Sequence, residues 1–569
     1  MTPAIVVTGA ASGIGRELAR LAARDGAFML LVDRSHDALE SFAAELTSSG
    51  TQAHALSIDL LTPNAGEIIE NGLKERGLYC DVLVNNAGVG LVGLAIEIDR
   101  SEQMRLVDIN LRALTELTLR FLPGMVARGR GGVINVSSIV SYAAGPNMAV
   151  YNATKTYVRS FSSALASEVA GSGVSITCLC PGMVRTQFYD QLSIKRTRLF
   201  KIMPRSNASE TAKAAWRGFR AGKRLVIPRL INRIIAAILV VLPGRAILRL
   251  SAGSVQQSAP GTLPLVARSE ARLKPAIVVT GASSGIGREL ARIAAPDCSC
   301  IMLVARSQDA LAKLAEELTS NGTSAHTLPI NLTNSDAGDT IENALKERGL
   351  YCDVIVNNAG ICLAGPAAEL GRSEQMQLVD VNVRALTELT LRFLPGMVAR
   401  GRGGVINLGS TGSYMSAPNM AVYHASKAYV QSFSAALAAE VADTGVTVTC
   451  LSPGVVRTPL VDRLPLARTR LVKLAPRSNA RDTARAGLAR FSRGQEPRHS
   501  TNGRPRSCDD FFSPATPDDS ASAGTKVSYR GCGATGENRG AHGWQGPVDA
   551  AVIRQCSSWV KNGNRAPQS

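Results

Sequence analysis

Three groups of residues could do chemistry together, and each occurs twice. Thr8-Gly9-x-x-x-Gly13-x-Gly15 follows an apolar run and opens a helical pattern. In that setting glycines let a pyrophosphate reach the backbone, and the helix N-terminus favours its charge. Asn85-Asn86-Ala87-Gly88 closes a later apolar run, and Ser138, Tyr151 and Lys155 follow it. All recur at one offset of 272 residues, from Thr8 to Thr280, Asn85 to Asn357 and Tyr151 to Tyr423. Alone, the glycine turn could be a packing turn, and Tyr and Lys at i and i+4 a solvated helix pair. Their joint, repeated order points to a dinucleotide site with a reactive centre beside it.

The elements that must position these residues can be read from periodicity. In the first copy, AIVVTG is followed by a helix with Ile14, Leu18, Leu21 and Ala22 on one face, then by FMLLVD, DVLVNNAG, GGVINVSS and SITCLCPG. Runs apolar at consecutive positions imply strands buried on both sides. The expected fold class is α/β: two tandem Rossmann-like, doubly wound parallel-sheet domains with helices on both faces and right-handed crossovers. Arg112 to Asn135 recurs unchanged as Arg384 to Asn407, so a whole domain is duplicated. The predicted boundaries are 1–250 for the first domain, 251–274 for a Ser, Gly and Pro-rich linker, 275–495 for a second domain shortened at its C-terminus, and 496–569 for a tail. That tail contains no Leu and is expected to be disordered, either as a flexible extension or as the scar of a shifted reading frame or fusion.

The sequence resembles the short-chain dehydrogenase/reductase family through TGAASGIG, NNAG, Asn110, Ser138, YNATK and PGMVRT in copy one. Copy two matches through TGASSGIG, NNAG, Asn382, Ser410, YHASK and PGVVRT. The resemblance implies an oxidoreductase moving a hydride between a nicotinamide and a carbonyl/alcohol couple. It implies catalytic sets Asn110, Ser138, Tyr151, Lys155 and Asn382, Ser410, Tyr423, Lys427. Reducing a ketone needs a hydride at carbon and a proton at oxygen, and a phenol of pKa about 10 is a poor base at neutral pH. Lys155 supplies a cation on the same helix face and the oxidised nicotinamide adds another positive charge, so the Tyr151 pKa is expected to fall toward the working range and Tyr151 to act as general acid/base. Ser138 would hydrogen-bond the carbonyl oxygen, and Asn110 would hold a water linking Lys155 to solvent. Ser137 rivals Ser138, but copy two has Gly409 there and keeps Ser410.

By the same resemblance the cofactor would be held in copy one by Gly9, Ser12, Gly13, Ile14, Gly15, Asn86, Ala87, Gly88, Tyr151, Lys155, Pro181, Gly182 and Thr186. In copy two it would be held by Gly281, Ser284, Gly285, Ile286, Gly287, Asn358, Ala359, Gly360, Tyr423, Lys427, Pro453, Gly454 and Thr458. Cofactor choice is read at the end of the second strand. Asp33 can bind both ribose hydroxyls and repel a 2′-phosphate, so copy one is expected to prefer NAD, with Arg34 keeping NADP open. Copy two has Ala305-Arg306, a guanidinium without the carboxylate, and is expected to prefer NADP. Asp59 with Leu60, and Asn331 with Leu332, lie where the family contacts adenine.

Composition narrows the partners. The chain has 569 residues, 45% apolar and 19% charged, which excludes a collagenous or wholly disordered protein. Its net charge is +18, but fifteen Lys or Arg against Asp190 and Glu210 lie between Arg185 and Leu250, so +13 sits there and +5 in the other 503 residues. No recognised nucleic-acid motif accompanies the charge, so nucleic acid is not an expected partner. The segment after Thr186, where the family places its substrate lid, interleaves apolar and basic residues. It fits an apolar carbonyl or alcohol, either a plain hydrophobic or steroid-like ketone or a 3-oxoacyl thioester of coenzyme A with an anionic handle; a merely solvated surface is equally open. The stretch 228–250 pairs aliphatic residues with Arg229, Arg233, Arg245 and Arg249, as a helix lying on a membrane would, or one packed over the pocket or a partner. Eleven cysteines, an odd number, suggest a reducing cytoplasm, with Cys178/Cys180 and Cys298/Cys300 read as packing and no metal site. An intramolecular pseudo-dimer or a homo-oligomer is expected. The competing reading is a dinucleotide-binding scaffold or sensor with one or both copies catalytically silent.

Overall fold

The computed structural model describes residues 1–26, 28–186, 205–242, 273–462 and 477–495. Copy one runs β1 (Thr2–Thr8), α1 (Gly13–Ala23), β2 (Phe28–Asp33), α2 (His36–Ser48), β3 (Ala53–Ser57), α3 (Ala65–Lys74), β4 (Leu78–Asn85), α4 (Arg100–Val107), α5 (Leu114–Arg128), β5 (Gly131–Val136), α6 (Ala149–Glu168) and β6 (Val174–Leu179). The short β7 (Met183–Arg185) and β8 (Arg205–Asn207), α7 (Ala208–Arg220), β9 (Leu225–Val226) and α8 (Leu230–Val241) complete it. The main sheet is parallel in the order β3-β2-β1-β4-β5-β6-β9. Consecutive burial of Ile5, Val6 and Val7 in β1, and of Met29 to Val32 in β2, explains the unbroken apolar runs, because helices cover both faces. Ile5, Val7, Leu18, Ala22, Phe42, Ala212 and Phe219 fill one side, with α1, α2 and α7. Val6, Leu30, Ile69, Leu73, Leu117, Phe161 and Leu165 fill the other, with α3, α5 and α6.

Copy two repeats the sheet with β10 (Lys274–Thr280), β11 (Cys300–Ala305), β12 (Ser324–Pro329), β13 (Leu350–Asn357), β14 (Gly403–Leu408) and β15 (Val446–Leu451), ordered β12-β11-β10-β13-β14-β15. Its first strand begins at Lys274, one residue inside the expected linker. The apolar layer under α5 and α6 continues without a break into copy two, through Leu389, Phe393, Tyr429 and Phe433. There α6 packs along the helix Ala421–Glu440. The seam has a pseudo-two-fold character. Arg112 pairs with Asp380 at 2.7 Å and Arg384 with Asp108 at 3.1 Å, each pair being the other's counterpart across the repeat.

The C-terminal ends differ. The strand expected over Leu225–Pro228 is two residues long, since Pro228 has no N–H to donate and Arg229 turns to φ +66° to start α8. It still covers the edge: Cys178 and Cys180 donate to Arg224 and Val226 carbonyls at 2.9 and 2.8 Å. In copy two, among the described residues, the main sheet ends on β15. Cys178 and Cys180 are buried free thiols 3.7 Å apart in copy one's core. Among the described residues no helix is long and apolar enough to cross a membrane. The expectations for the lid at 187–204, for most of the linker, for 243–250 and for the tail 496–569 fall outside the described residues.

Candidate active site

Backbone conformation decides residue type in the glycine turn. Gly9 and Gly13 hold φ of +64° and +57°, and Gly281 and Gly285 hold +65° and +57°. A Cβ on Gly9 would stand 2.8 Å from Asn86 Nδ2, and one on Gly13 3.1 Å from Thr186 Cγ2; Asn358 and Thr458 take these places in copy two. The turn, the NNAG loop and the turn before Thr186 therefore close around one cradle in each copy. Asn86 fastens it, its Nδ2 donating to the Thr8 and Gly9 carbonyls at 3.1 and 3.0 Å, while Thr8 Oγ1 accepts from the Asn86 and Ala87 amides at 3.1 Å. Behind it, Asn85 Nδ2 donates to Asn135 Oδ1 and Thr118 Oγ1 at 2.9 Å. Ser12 and Ser284 do not cap their helices through their side chains, so the first helical amides stay available to an anion. Bare backbone and an uncapped helix N-terminus fit a dinucleotide pyrophosphate.

The residues at the end of the second strand, where cofactor choice is expected to be read, sit beside this cradle. The Asp33 carboxylate is fixed at the end of β2, accepting from the Ala11 amide through Oδ2 and the Ser35 amide through Oδ1, each at 3.1 Å. Arg34 is exposed. In copy two Ala305 is buried and Arg306 exposed, so the same corner presents a guanidinium and no carboxylate. Asp59 Oδ1 accepts from the Leu61 amide at 3.0 Å and Asn331 Oδ1 from the Thr333 amide at 3.2 Å, with Leu60 and Leu332 half-buried beside them.

The reactive residues converge as well. Lys155 is buried, its Nζ donating to the Val136 carbonyl at 3.1 Å and lying 5.8 Å from the Tyr151 ring centre. Lys427 Nζ donates to the Leu408 carbonyl at 2.7 Å, 5.9 Å from the Tyr423 ring centre. Burial lowers both lysines to about 8. Burial also pushes the Tyr423 phenol up, against a hydrogen bond with Ser410 that pulls it down. In copy two desolvation therefore outweighs that bond.

Two serines divide their work. Ser137 Oγ donates to the Lys155 carbonyl at 2.7 Å, which ties it to the backbone of α6. Ser138 lies two residues past β5, and its Oγ accepts a long 3.4 Å bond from the Val140 amide. In copy two, where Gly409 lacks a side chain, Ser413 Oγ bonds the Lys427 carbonyl at 2.9 Å instead. Asn110 lies in a π-helical turn, Asp108–Ala113, with Asn382 in its counterpart Asp380–Ala385. The Asn110 amide exchanges both bonds with Val89, each 2.8 Å, and Asn382 does the same with Ile361 at 2.8 and 2.9 Å. Its side chain thus secures the loop after NNAG. Both side-chain groups of Asn110 are committed to Val89.

Two further residues have no motif to announce them. Asn232 of α8 is buried against Gly182, where an added Cβ would meet Asn232 Oδ1 at 2.5 Å. A Cβ on Gly454 would meet nothing within 4 Å, and Gly454 is exposed. A lone Asn inside LINRIIAAILVV was the available signal, since a polar group on a buried helix face needs a partner. Asn147, at φ +63°, precedes the helix that carries Tyr151, and Asn419 at +65° repeats it.

This cradle, with Tyr and Lys one helical turn apart beside it, defines a dinucleotide-dependent oxidoreductase of the doubly wound class. The short chain dehydrogenase profile matches residues 3–197 and 275–468, and the chain belongs to that family as two tandem copies. It is 35% identical over 184 residues to sulfoacetaldehyde reductase 2 of Chromohalobacter salexigens, covering 32% of this chain and 73% of that protein. It is 32% identical over 188 residues to a very-long-chain 3-oxoacyl-CoA reductase of Phaeosphaeria nodorum, covering 32% of this chain and 55% of that protein. Among solved structures, a short-chain dehydrogenase from Sphingobium yanoikuyae in complex with NADPH shares 29% identity, with a TM-score of 0.38, covering 46% of this chain and 99% of that one.

Proposed function

We propose that the chain reduces or oxidises a carbonyl/secondary alcohol couple on an apolar substrate, a hydrophobic ketone or 3-oxoacyl compound, and that copy one performs most of the turnover. A bound nicotinamide supplies or accepts the hydride at carbon. Tyr151 gives the carbonyl oxygen its proton, Ser138 donates a hydrogen bond to that oxygen as it gains charge, and Lys155 stabilises the phenolate left behind. Lys155 in turn draws a proton from solvent through a water held at Asn110, which lies in the π-helical turn Asp108–Ala113. Asn382, Ser410, Tyr423 and Lys427 form the equivalent set. The observation that carries this reading is the commitment of Ser137 to the Lys155 backbone, which leaves Ser138 as the hydroxyl at the strand end.

Copy one favours NAD through Asp33, and copy two NADP through Arg306. The unequal C-termini support unequal turnover: α8 covers Gly182 and packs on the turn Ile139–Tyr142, whereas Gly454 and Tyr414 are exposed in copy two. The outer face of α8 carries Leu230, Ile231, Ile234, Ile238 and Val241 exposed, with Arg233 among them, which favours contact with a membrane surface. The test follows nicotinamide absorbance with acetoacetyl-coenzyme A, a ketosteroid and an aliphatic ketone, each with NADH and NADPH. Turnover of at least one carbonyl supports the enzyme reading; tight cofactor binding with no turnover of any carbonyl or alcohol favours the scaffold.

A further inference from the structure

The last residue of α6 is Glu168, and the last of the helix Ala421–Glu440 is its counterpart. A carboxylate at a helix C-terminus meets the negative end of the dipole. Desolvation adds to this cost, raising Glu168 and pushing Glu440 up to about 7, with the charge of Glu97 contributing to the second shift. Both are nevertheless placed to serve the opposite copy. Glu440 accepts from the Ala95 amide at 2.8 Å and the Asn147 amide at 2.7 Å of copy one. Glu168 accepts from Ala367 at 2.8 Å and Asn419 at 2.7 Å of copy two.

The two backbone groups caught by each glutamate flank the reactive tyrosine. Asn147 stands one helical turn before Tyr151 in the left-handed region, which is strained for a non-glycine residue and persists when neighbours enforce it. Its carbonyl accepts from the Gly93 amide at 2.9 Å, and Gly365 to Asn419 repeats this at 2.8 Å. Leu91, Gly93, Ala95 and Met148 line the recess beside Tyr151. A carboxylate that grips Ala95 and Asn147 together fixes Ala95 and the residue before Met148.

We propose that Glu440 of copy two is a positioning residue for the copy-one site, and Glu168 of copy one for the copy-two site, so that each site is completed by the other copy. Charge-assisted bonds to two strained or loop amides make the clamp specific. The proposal rests on the oxidoreductase reading for its activity arm only.

The test uses the full chain with copy two silenced by Tyr423→Phe. Adding Glu440→Gln, which keeps shape but offers a weaker acceptor to two donors, should lower kcat/KM for the carbonyl about tenfold, mainly through KM, with cofactor Kd unchanged. Adding Glu168→Gln, which lies in copy one itself, should leave that activity within about twofold. Amide hydrogen exchange at Ala95 and Asn147 should quicken only in Glu440→Gln, and at Ala367 and Asn419 only in Glu168→Gln. Equal losses from the two variants, a larger loss from Glu168→Gln, or exchange unchanged at these amides would overturn the proposal. An inactive Tyr423→Phe parent would count against the functional reading, and the exchange arms would still decide this one.

Discussion

The two copies share their motifs, and Arg112 to Asn135 is identical to Arg384 to Asn407, yet their sites are finished differently. Copy one adds β9 and α8, which pair with β6 and bring Asn232 onto Gly182. In copy two the corresponding Gly454 is exposed, and Tyr414 and Met415 are 50% and 58% exposed where copy one's Tyr142 and Ala143 are partly covered. Duplication therefore preserved the chemistry-bearing residues while the covering of the pocket diverged. Among the described residues the reacting side chains match, and what packs behind the turn differs.

The comparison breaks most severely if the shared residues are removed. Tyr151→Phe with Tyr423→Phe should cut turnover by about a thousandfold or more, because no phenolic proton remains, while dinucleotide binding followed by fluorescence stays near its original affinity. Substantial turnover in the double variant would mean that another group moves the proton.

A smaller effect sharpens the role of α8. Asn232→Ala removes the cover of Gly182 together with its bond to the Pro228 carbonyl, 2.9 Å long, and should lower copy-one kcat/KM about fivefold to tenfold and stability by about 1 kcal/mol. Rates and melts of the full chain check both, and an unchanged rate would detach α8 from the site.

Cofactor choice separates the copies next. Asp33→Ala in the Tyr423→Phe background should shift the NADPH to NADH preference upward about tenfold, by removing the charge that repels a 2′-phosphate and leaving Arg34 free. A constant ratio would show that Asp33 is not the selector.

A pH effect is shared by both copies and does not separate them. Lys155 and Lys427 titrate near 8 in the folded chain against 10.5 unfolded. At these two sites the folded state binds fewer protons than the unfolded chain between these values, so their contribution to stability rises as pH climbs from about 8 to 10.5. The penalty of burying two cations is present in full below 8. Buried phenols and thiols raised by desolvation, among them Tyr423 and Cys362, contribute the opposite slope. Lys155→Met with Lys427→Met should remove the lysine contribution, so that stability falls more steeply over this range in denaturant titrations than it does in the parent chain.

Much of this architecture was legible in the sequence because it depends on local pattern. Unbroken apolar runs such as Ile5 to Val7 specify doubly covered parallel strands, and Gly9 and Gly13 are demanded by positive φ. The pairs Tyr151/Lys155 and Tyr423/Lys427 follow from helical spacing. What stayed hidden depends on partners distant in sequence. The bond of Ser137 to Lys155, the engagement of Asn110 with Val89, and the reach of Glu440 to Asn147 leave no periodic trace, because each joins residues brought together only by tertiary packing. The length of β9 was overestimated for a local reason, Pro228, whose missing N–H ends the pairing.

The central proposal is that two copies with the same reactive set differ in output because, among the described residues, a helix covers the turn at Gly182 and none covers Gly454. Turnover of the full chain should be compared for Tyr151→Phe and Tyr423→Phe under saturating NADH and NADPH. Tyr151→Phe is predicted to remove about nine-tenths or more of the carbonyl-dependent rate, and Tyr423→Phe to leave most of it. Equal losses, or a larger loss from Tyr423→Phe, would contradict the account.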